Sequence, residues 1–148
     1  MSAPASLLVP ALSQAQLGLR EGGIPIGSAL FIDDRFVGGG RNQRVQQSDP
    51  ILHAEMHCLQ QVGRLSAEQY RRATIVSTLS PCDMCTGAIL LFGIPRVIVG
   101  ENRNFVGGED LLRARGVEVN LLDDAVCIDM MASFIEANPE LWNEDIAR

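Results

Sequence analysis

Apolar positions recur at helical spacing between Ala11 and Glu21 (Leu12, Ala15, Leu19), and the pattern stops at Gly22-Gly23. Two short apolar runs, Ile26–Ile32 and Phe36–Gly39, flank Asp33-Asp34 and predict a β-hairpin. Helical spacing returns from His53 to Val62 and ends at Gly63. Thr74–Leu79 (TIVSTL) is short and β-branched, which predicts a buried strand. Ser80-Pro81 then leads into a helical pattern from Cys82 to Phe92, with Gly93 as its cap. Arg96–Val99 and Val117–Leu121 read as two further strands, with a short helix at Leu111–Arg115 between them. A helix is expected from Asp123 to Ala137, and Pro139 opens a last short one. Strands alternating with helices predict an α/β layered sheet that begins with one antiparallel hairpin and continues through parallel crossovers. No repeat, low-complexity tract or linker divides residues 1–148, so one domain is expected.

Composition narrows the chemistry. The formal net charge is −6, and all 12 basic residues are arginine. Without lysine there is no Schiff-base amine and no phosphate-loop lysine, so PLP chemistry and P-loop nucleotide hydrolysis are excluded. An acidic chain is poorly suited to a long phosphate backbone, which points to a small substrate and no nucleic-acid partner. A chain of 148 residues buries roughly 68–70% of its unfolded surface, enough for a core without staples. The first basic residue is Arg20, and the apolar stretch Leu7–Leu12 is short and broken by Pro10, so no signal peptide is read. No apolar run approaches the length of a membrane span. A cytoplasmic location away from membranes is therefore the expectation, with the four cysteines as thiols or metal ligands rather than disulfides.

His53-Ala54-Glu55 opens one predicted helix, and Pro81-Cys82-Asp83-Met84-Cys85 opens the next. Helix N-termini favour anionic groups, which lowers a thiol's pKa toward the metal-binding thiolate. Cys82 and Cys85, three apart, can reach one ion from a single turn. With His53 they make three ligands and leave a fourth tetrahedral position for water, the arrangement of a catalytic zinc. Zinc lowers the pKa of bound water to roughly 7. Glu55 cannot easily ligate the ion that His53 binds, but it can reach that water and move its proton. H-x-E followed by P-C-x-x-C is the signature of zinc-dependent base deaminases.

Other readings of these residues are open. Cys82 and Cys85 could form a redox pair on a strand-to-helix turn, although His53 and Glu55 would then be idle. They could join Cys58 and Cys127 in a closed structural zinc site, yet those two sit singly in mid-helix patterns, where cysteine packs as a small hydrophobe. His57 lies one turn after His53, but the two-His helix motif needs Glu directly after the first His, so a packed or surface role is expected. Arg71-Arg72 is read as a solvated loop.

Over nearly its whole length the chain resembles the fungal-type cytosine deaminases of the cytidine-deaminase-like superfamily. The likeness is carried by Glu21–Gly27 (EGGIPIG), Gly40–Arg44 (GRNQR), Leu79–Ile89 (LSPCDMCTGAI), Gly93–Arg96 (GIPR), Val99–Asn102 (VGEN), Arg115–Val119 (RGVEV) and Asn143–Ile146 (NEDI). It implies a three-layer α/β/α sandwich with a mixed five-stranded sheet, a homodimer, and hydrolysis of free cytosine to uracil and ammonia. Carried over by position, it implies one Zn2+ on His53, Cys82 and Cys85, with Glu55 as proton shuttle. Asn42, Gln46 and the backbone N–H of Ala54 would hold the ring's polar edge, and Asp145 would meet the departing amine. Ile26, Leu79, Phe105 and Trp142 would wall the pocket, and Ser80 would offer a backbone carbonyl. Asn and Gln side chains both donate and accept, as an amide-edged ring requires. Two positions depart from the fungal pattern: Ala54 stands where that pattern has glycine, and Asn143 replaces an aromatic. A one-methyl mismatch is worth about 1–3 kcal/mol, enough to shift preference among isocytosine, 5-substituted cytosines, creatinine-like rings and guanine. A tRNA adenosine deaminase shares the zinc signature, but the run Glu136–Asp145 carries four acids (Glu136, Glu140, Glu144 and Asp145) and no base.

Overall fold

A computed structural model describes residues 3–148. Its strands are β1 (Gly27–Ile32), β2 (Arg35–Arg41), β3 (Ala73–Leu79), β4 (Arg96–Glu101) and β5 (Glu118–Leu121). They form one sheet in the order β2-β1-β3-β4-β5. The helices are α1 (Pro4–Arg20), α2 (Arg44–Gln47), α3 (Ala54–Val62), α4 (Ala67–Arg71), α5 (Asp83–Phe92), α6 (Glu109–Ala114), α7 (Ala125–Ala137) and α8 (Pro139–Asp145). Asp33 and Asp34, at φ 51° and 63°, make the two-residue turn of the β1–β2 hairpin, matching the right-handed twist of the strands. β1 also pairs antiparallel with β3, whereas β3–β4 and β4–β5 are parallel. The sheet is thus mixed, as expected.

Period-2 alternation separates two cores. Ile75, Val97 and Val99 point to one face, where Cys58 and Leu59 of α3, Ile89 of α5 and Leu112 of α6 cover them. Val76 and Ile98 point to the other, against Leu7, Leu8 and Ala11 of α1 and Cys127 of α7. With helices on both faces, β3 is buried along its whole length, and the three layers follow.

Helix α1 starts seven residues before the expected Ala11 and carries Pro10 inside it. An interior proline costs about 3 kcal/mol, but full burial of Leu7 and Leu8 contributes about 1.5–3 kcal/mol each and outweighs it. Two short helices were not expected, α2 and α4. The second is held by a capping box in which Ser66 accepts from the Gln69 backbone N–H and the Gln69 side chain accepts from the Ser66 N–H. Arg71 consequently lies in a helix, and Arg72 caps it and pairs with Asp33 across 2.7 Å.

Helix α3 lies close enough on β2 that a Cβ at Gly40 would sit 2.7 Å from the Cα of Cys58. Gly40→Ala is expected to destabilise the protein by about 1–3 kcal/mol through overpacking, read as a lower urea midpoint with unchanged slope.

Candidate active site

The first helical turns of α3 and α5 are brought side by side by the strands that precede them. His53 caps the N-terminus of α3 and Cys82 that of α5, both in extended conformation. Cys85 lies in the first turn of α5 and is buried. One donor atom each from His53, Cys82 and Cys85 falls within 4.8 Å of the others, and this is the one such group among the described residues. His53 Nδ1 is 3.4 Å from Cys82 Sγ. A tetrahedral zinc with ordinary bond lengths separates nitrogen from sulfur by about 3.6 Å, so the donor set and its spacing fit that ion. The other ring nitrogen, Nε2, faces Asp145 Oδ1 at 3.3 Å. A carboxylate behind the distal nitrogen is the usual way a ligating imidazole is oriented.

Electrostatics prepare the same residues. The Cys85 thiol beside it pulls Cys82 down to about 4 against the opposing effect of burial, with His53 helping. Cys85 itself is pushed up by Cys82 and by burial. Burial alone would lower His53, but the Asp145 carboxylate and Cys82 prevail and raise it to about 10. Glu55 is fully enclosed; burial first, then the Cys82 thiolate, push it up to about 7, with His53 pulling the other way. A carboxyl group near neutrality can both take and return a proton at working pH.

A small cavity opens beside these groups. Its wall contains Ile26, Ala54, Leu79, Ser80, Phe105, Trp142 and Asp145 together with His53, Glu55 and Cys82. Phe105 and Trp142 meet edge to face, with ring centroids 6.0 Å apart. Ile146 also lines it and was missed by sequence reasoning; its position four residues after Trp142 on a helical pattern was the available signal.

Asn42 and Gln46 do not line this cavity. Asn42 is fully buried one shell back, donating from Nδ2 to Asp145 Oδ2 at 3.2 Å while its Oδ1 accepts from the Arg44 N–H. Gln46 packs on Gly23 and donates to Glu21, leaving its Oε1 buried without a partner. Arg44 also reaches Glu144 at 3.0 Å, tying α2 to α8, a link between residues so far apart in sequence that no local pattern signals it. The remaining cysteines and His57 lie elsewhere. Cys58 is buried under β2 near the Gly38 carbonyl, Cys127 packs on the far face of the sheet, and His57 Nδ1 accepts from the Arg41 N–H.

Comparison with known proteins agrees with this geometry. Residues 1–101 match the model of the cytidine and deoxycytidylate deaminase zinc-binding region. The chain is 55% identical over 137 residues to a cytosine deaminase of Candida albicans, covering 92% of this chain and 91% of that one. It is 36% identical over 103 residues to a tRNA-specific adenosine deaminase of Streptococcus pyogenes, covering 69% of this chain and 65% of that one. Among solved structures, a guanine deaminase from Nitrosomonas europaea shares the fold at TM-score 0.73 and 19% identity, over 90% of this chain and 85% of that one. With the match running across both helix starts that carry the metal donors, the chain belongs to the cytidine and deoxycytidylate deaminase family of zinc-dependent deaminases.

Proposed function

We propose that this enzyme deaminates free cytosine to uracil and ammonia. The observation that carries the reading is the shared wall: the buried Glu55 carboxyl, the donors His53 and Cys82 and two aromatic rings face one cavity, with the Cys85 thiol within 4.8 Å of both donors. The flat apolar walls of Phe105, Trp142, Leu79 and Ile26 suit a planar base. The 55% identical relative, named a cytosine deaminase, supports the same substrate.

His53 Nδ1, Cys82 and Cys85 would hold a zinc ion, which would supply a water acidified to near neutrality. Glu55 would take one proton of that water and hand it to the ring nitrogen, then take the second from the hydroxyl now on the ring carbon and give it to the amine as the C–N bond breaks. Phe105, Trp142, Leu79 and Ile26 exclude solvent and clamp the flat ring. The Ala54 N–H holds the ring's polar edge, with Asn42 behind Asp145, and the Ser80 carbonyl would lie near the attacking water. Gln46, turned toward Gly23 and Glu21, stands outside the cavity and takes no part in that edge. Asp145 Oδ1, 3.3 Å from His53 Nε2, steadies that ring and accepts from the exocyclic amine. Asp145→Asn is expected to lower zinc affinity or kcat/KM about 10- to 100-fold, measured by competitive chelation and by ammonia release.

Against a tRNA substrate, the outer mouth lined by Pro50, Asp83, Met84, Val106 and Asp145 contains no arginine. The deciding experiment is a panel of free bases and nucleosides scored for ammonia, with zinc measured on the same sample. Cytosine is expected to give the highest kcat/KM; ammonia from nucleosides but not free bases overturns the reading. We further propose a cytoplasmic homodimer serving pyrimidine salvage, as the fungal resemblance implies; sedimentation equilibrium at a monomer mass would overturn the dimer. No helix among the described residues is long and apolar enough to cross a membrane.

A further inference from the structure

We propose that Ser80 and Glu109 act as a positioning pair that holds the Phe105 wall in place and so sets the width of the base pocket. This rests on the deaminase reading above. Phe105 lies on the loop 102–108, which has no regular secondary structure between β4 and α6. A bare loop is a poor platform for a pocket wall, because loops sample many conformations. Here both ends are fixed by carboxylates almost shut off from water, Glu101 and Glu109. Glu101 accepts from the Arg103 N–H at 2.7 Å, the Asn104 N–H at 3.0 Å and Asn104 Nδ2 at 2.9 Å. At the other end the Ser80 hydroxyl donates to Glu109 Oε2 at 2.6 Å and accepts from the Gly107 N–H at 2.9 Å. Asn102 Nδ2 donates to Glu109 Oε1 at 3.3 Å. The Gly108 N–H donates to the Pro81 carbonyl, and a Cβ at Gly107 would strike that same carbonyl.

One hydroxyl therefore joins three parts of the site. Ser80 lines the cavity, stands two residues before the zinc ligand Cys82, and carries the loop that presents Phe105. A short hydrogen bond to a buried charge is among the stronger kinds, and it orients the hydroxyl so that its lone pair meets Gly107. Glu109 has no place in the cavity wall, so its effect on catalysis passes through Ser80 and the loop. Nothing in the zinc signature requires an acid at this position; the bonds around it supply the reason.

Trp142 is the sole tryptophan in the sequence and touches Phe105, so its fluorescence reports the wall directly. The test compares Ser80→Ala, Glu109→Gln and their double mutant with the parent. Readouts are acrylamide quenching of Trp142, zinc content, KM and kcat for cytosine, and the preference for cytosine over 5-methylcytosine. Each single variant is expected to keep its zinc, to raise the quenching constant about twofold and KM about tenfold, and to lose most of the discrimination against the larger ring. The double mutant is expected to be no worse than the poorer single, since residues acting as one unit are not additive. Quenching, KM and preference all within about twofold of the parent in a folded variant would overturn the pair, as would additive losses. A lowered melting temperature with those readouts unmoved would mean bulk stability only, and would also overturn it. Should Ser80→Ala not fold, the isosteric Glu109→Gln and the milder Asn102→Ala carry the test. A parent that releases no ammonia from cytosine refutes the substrate reading, while the quenching comparison still judges the pair.

Discussion

Glu55→Gln should retain zinc and lose turnover by about 10²- to 10⁴-fold, the range general acid–base catalysis contributes. The substitution keeps the shape of the side chain and removes the carboxyl proposed to carry protons between water, ring and amine. Zinc content by mass spectrometry and ammonia release on the same sample check both halves, and substantial residual deamination would remove Glu55 from the proposed role. Stability offers an independent reading. A carboxyl raised from 4.5 to about 7 in the folded protein favours folding below pH 4.5 and loses that contribution as pH rises to 7. In the metal-free protein the loss is up to about 3 kcal/mol, and Glu55→Gln should abolish it. The metal-free variant should therefore melt above the metal-free parent at pH 8 and converge with it near pH 4.

The zinc donors and Glu55 were legible because their chemistry is written in short local spacings, two residues in one case and three in the other. The sheet was legible for a related reason, since TIVSTL and the runs after Arg96 and Val117 announce themselves by β-branching. What stayed hidden depends on distant partners. Pro10 argues locally against a helix, and only burial of Leu7 and Leu8 against the sheet explains why α1 runs through it. Asn42 was expected at the ring and lies behind Asp145, a partner 103 positions away. Glu101 and Glu109 look like solvated acids in sequence, and their burial follows from how the loop folds back onto Ser80 and Pro81. The serine–glutamine capping box of α4 is a different case, since its four-residue signal was present in the sequence.

Cys82→Ser should release the zinc, abolish deamination and leave a folded protein, whereas Cys58→Ala/Cys127→Ala should keep both metal and activity. The contrast follows from where the thiols sit. Cys58 lies beneath β2 and Cys127 on the opposite face of the sheet, so neither can supply a fourth ligand to a site that already pairs His53 with Cys82 across 3.4 Å. Both hydrophobic clusters flanking the sheet form without metal contacts, so cooperative unfolding should survive chelation. Loss of a ligand present at about a thousand times its dissociation constant removes about 4 kcal/mol. For a chain of this size that is a fall in melting temperature of roughly 10 °C or more, visible by calorimetry after chelation and again in Cys82→Ser. Collapse to an unfolded chain on chelation would mark the metal as structural, as in a closed four-cysteine site. Loss of zinc from the Cys58→Ala/Cys127→Ala protein would do the same, and would remove the open coordination position on which hydrolysis depends.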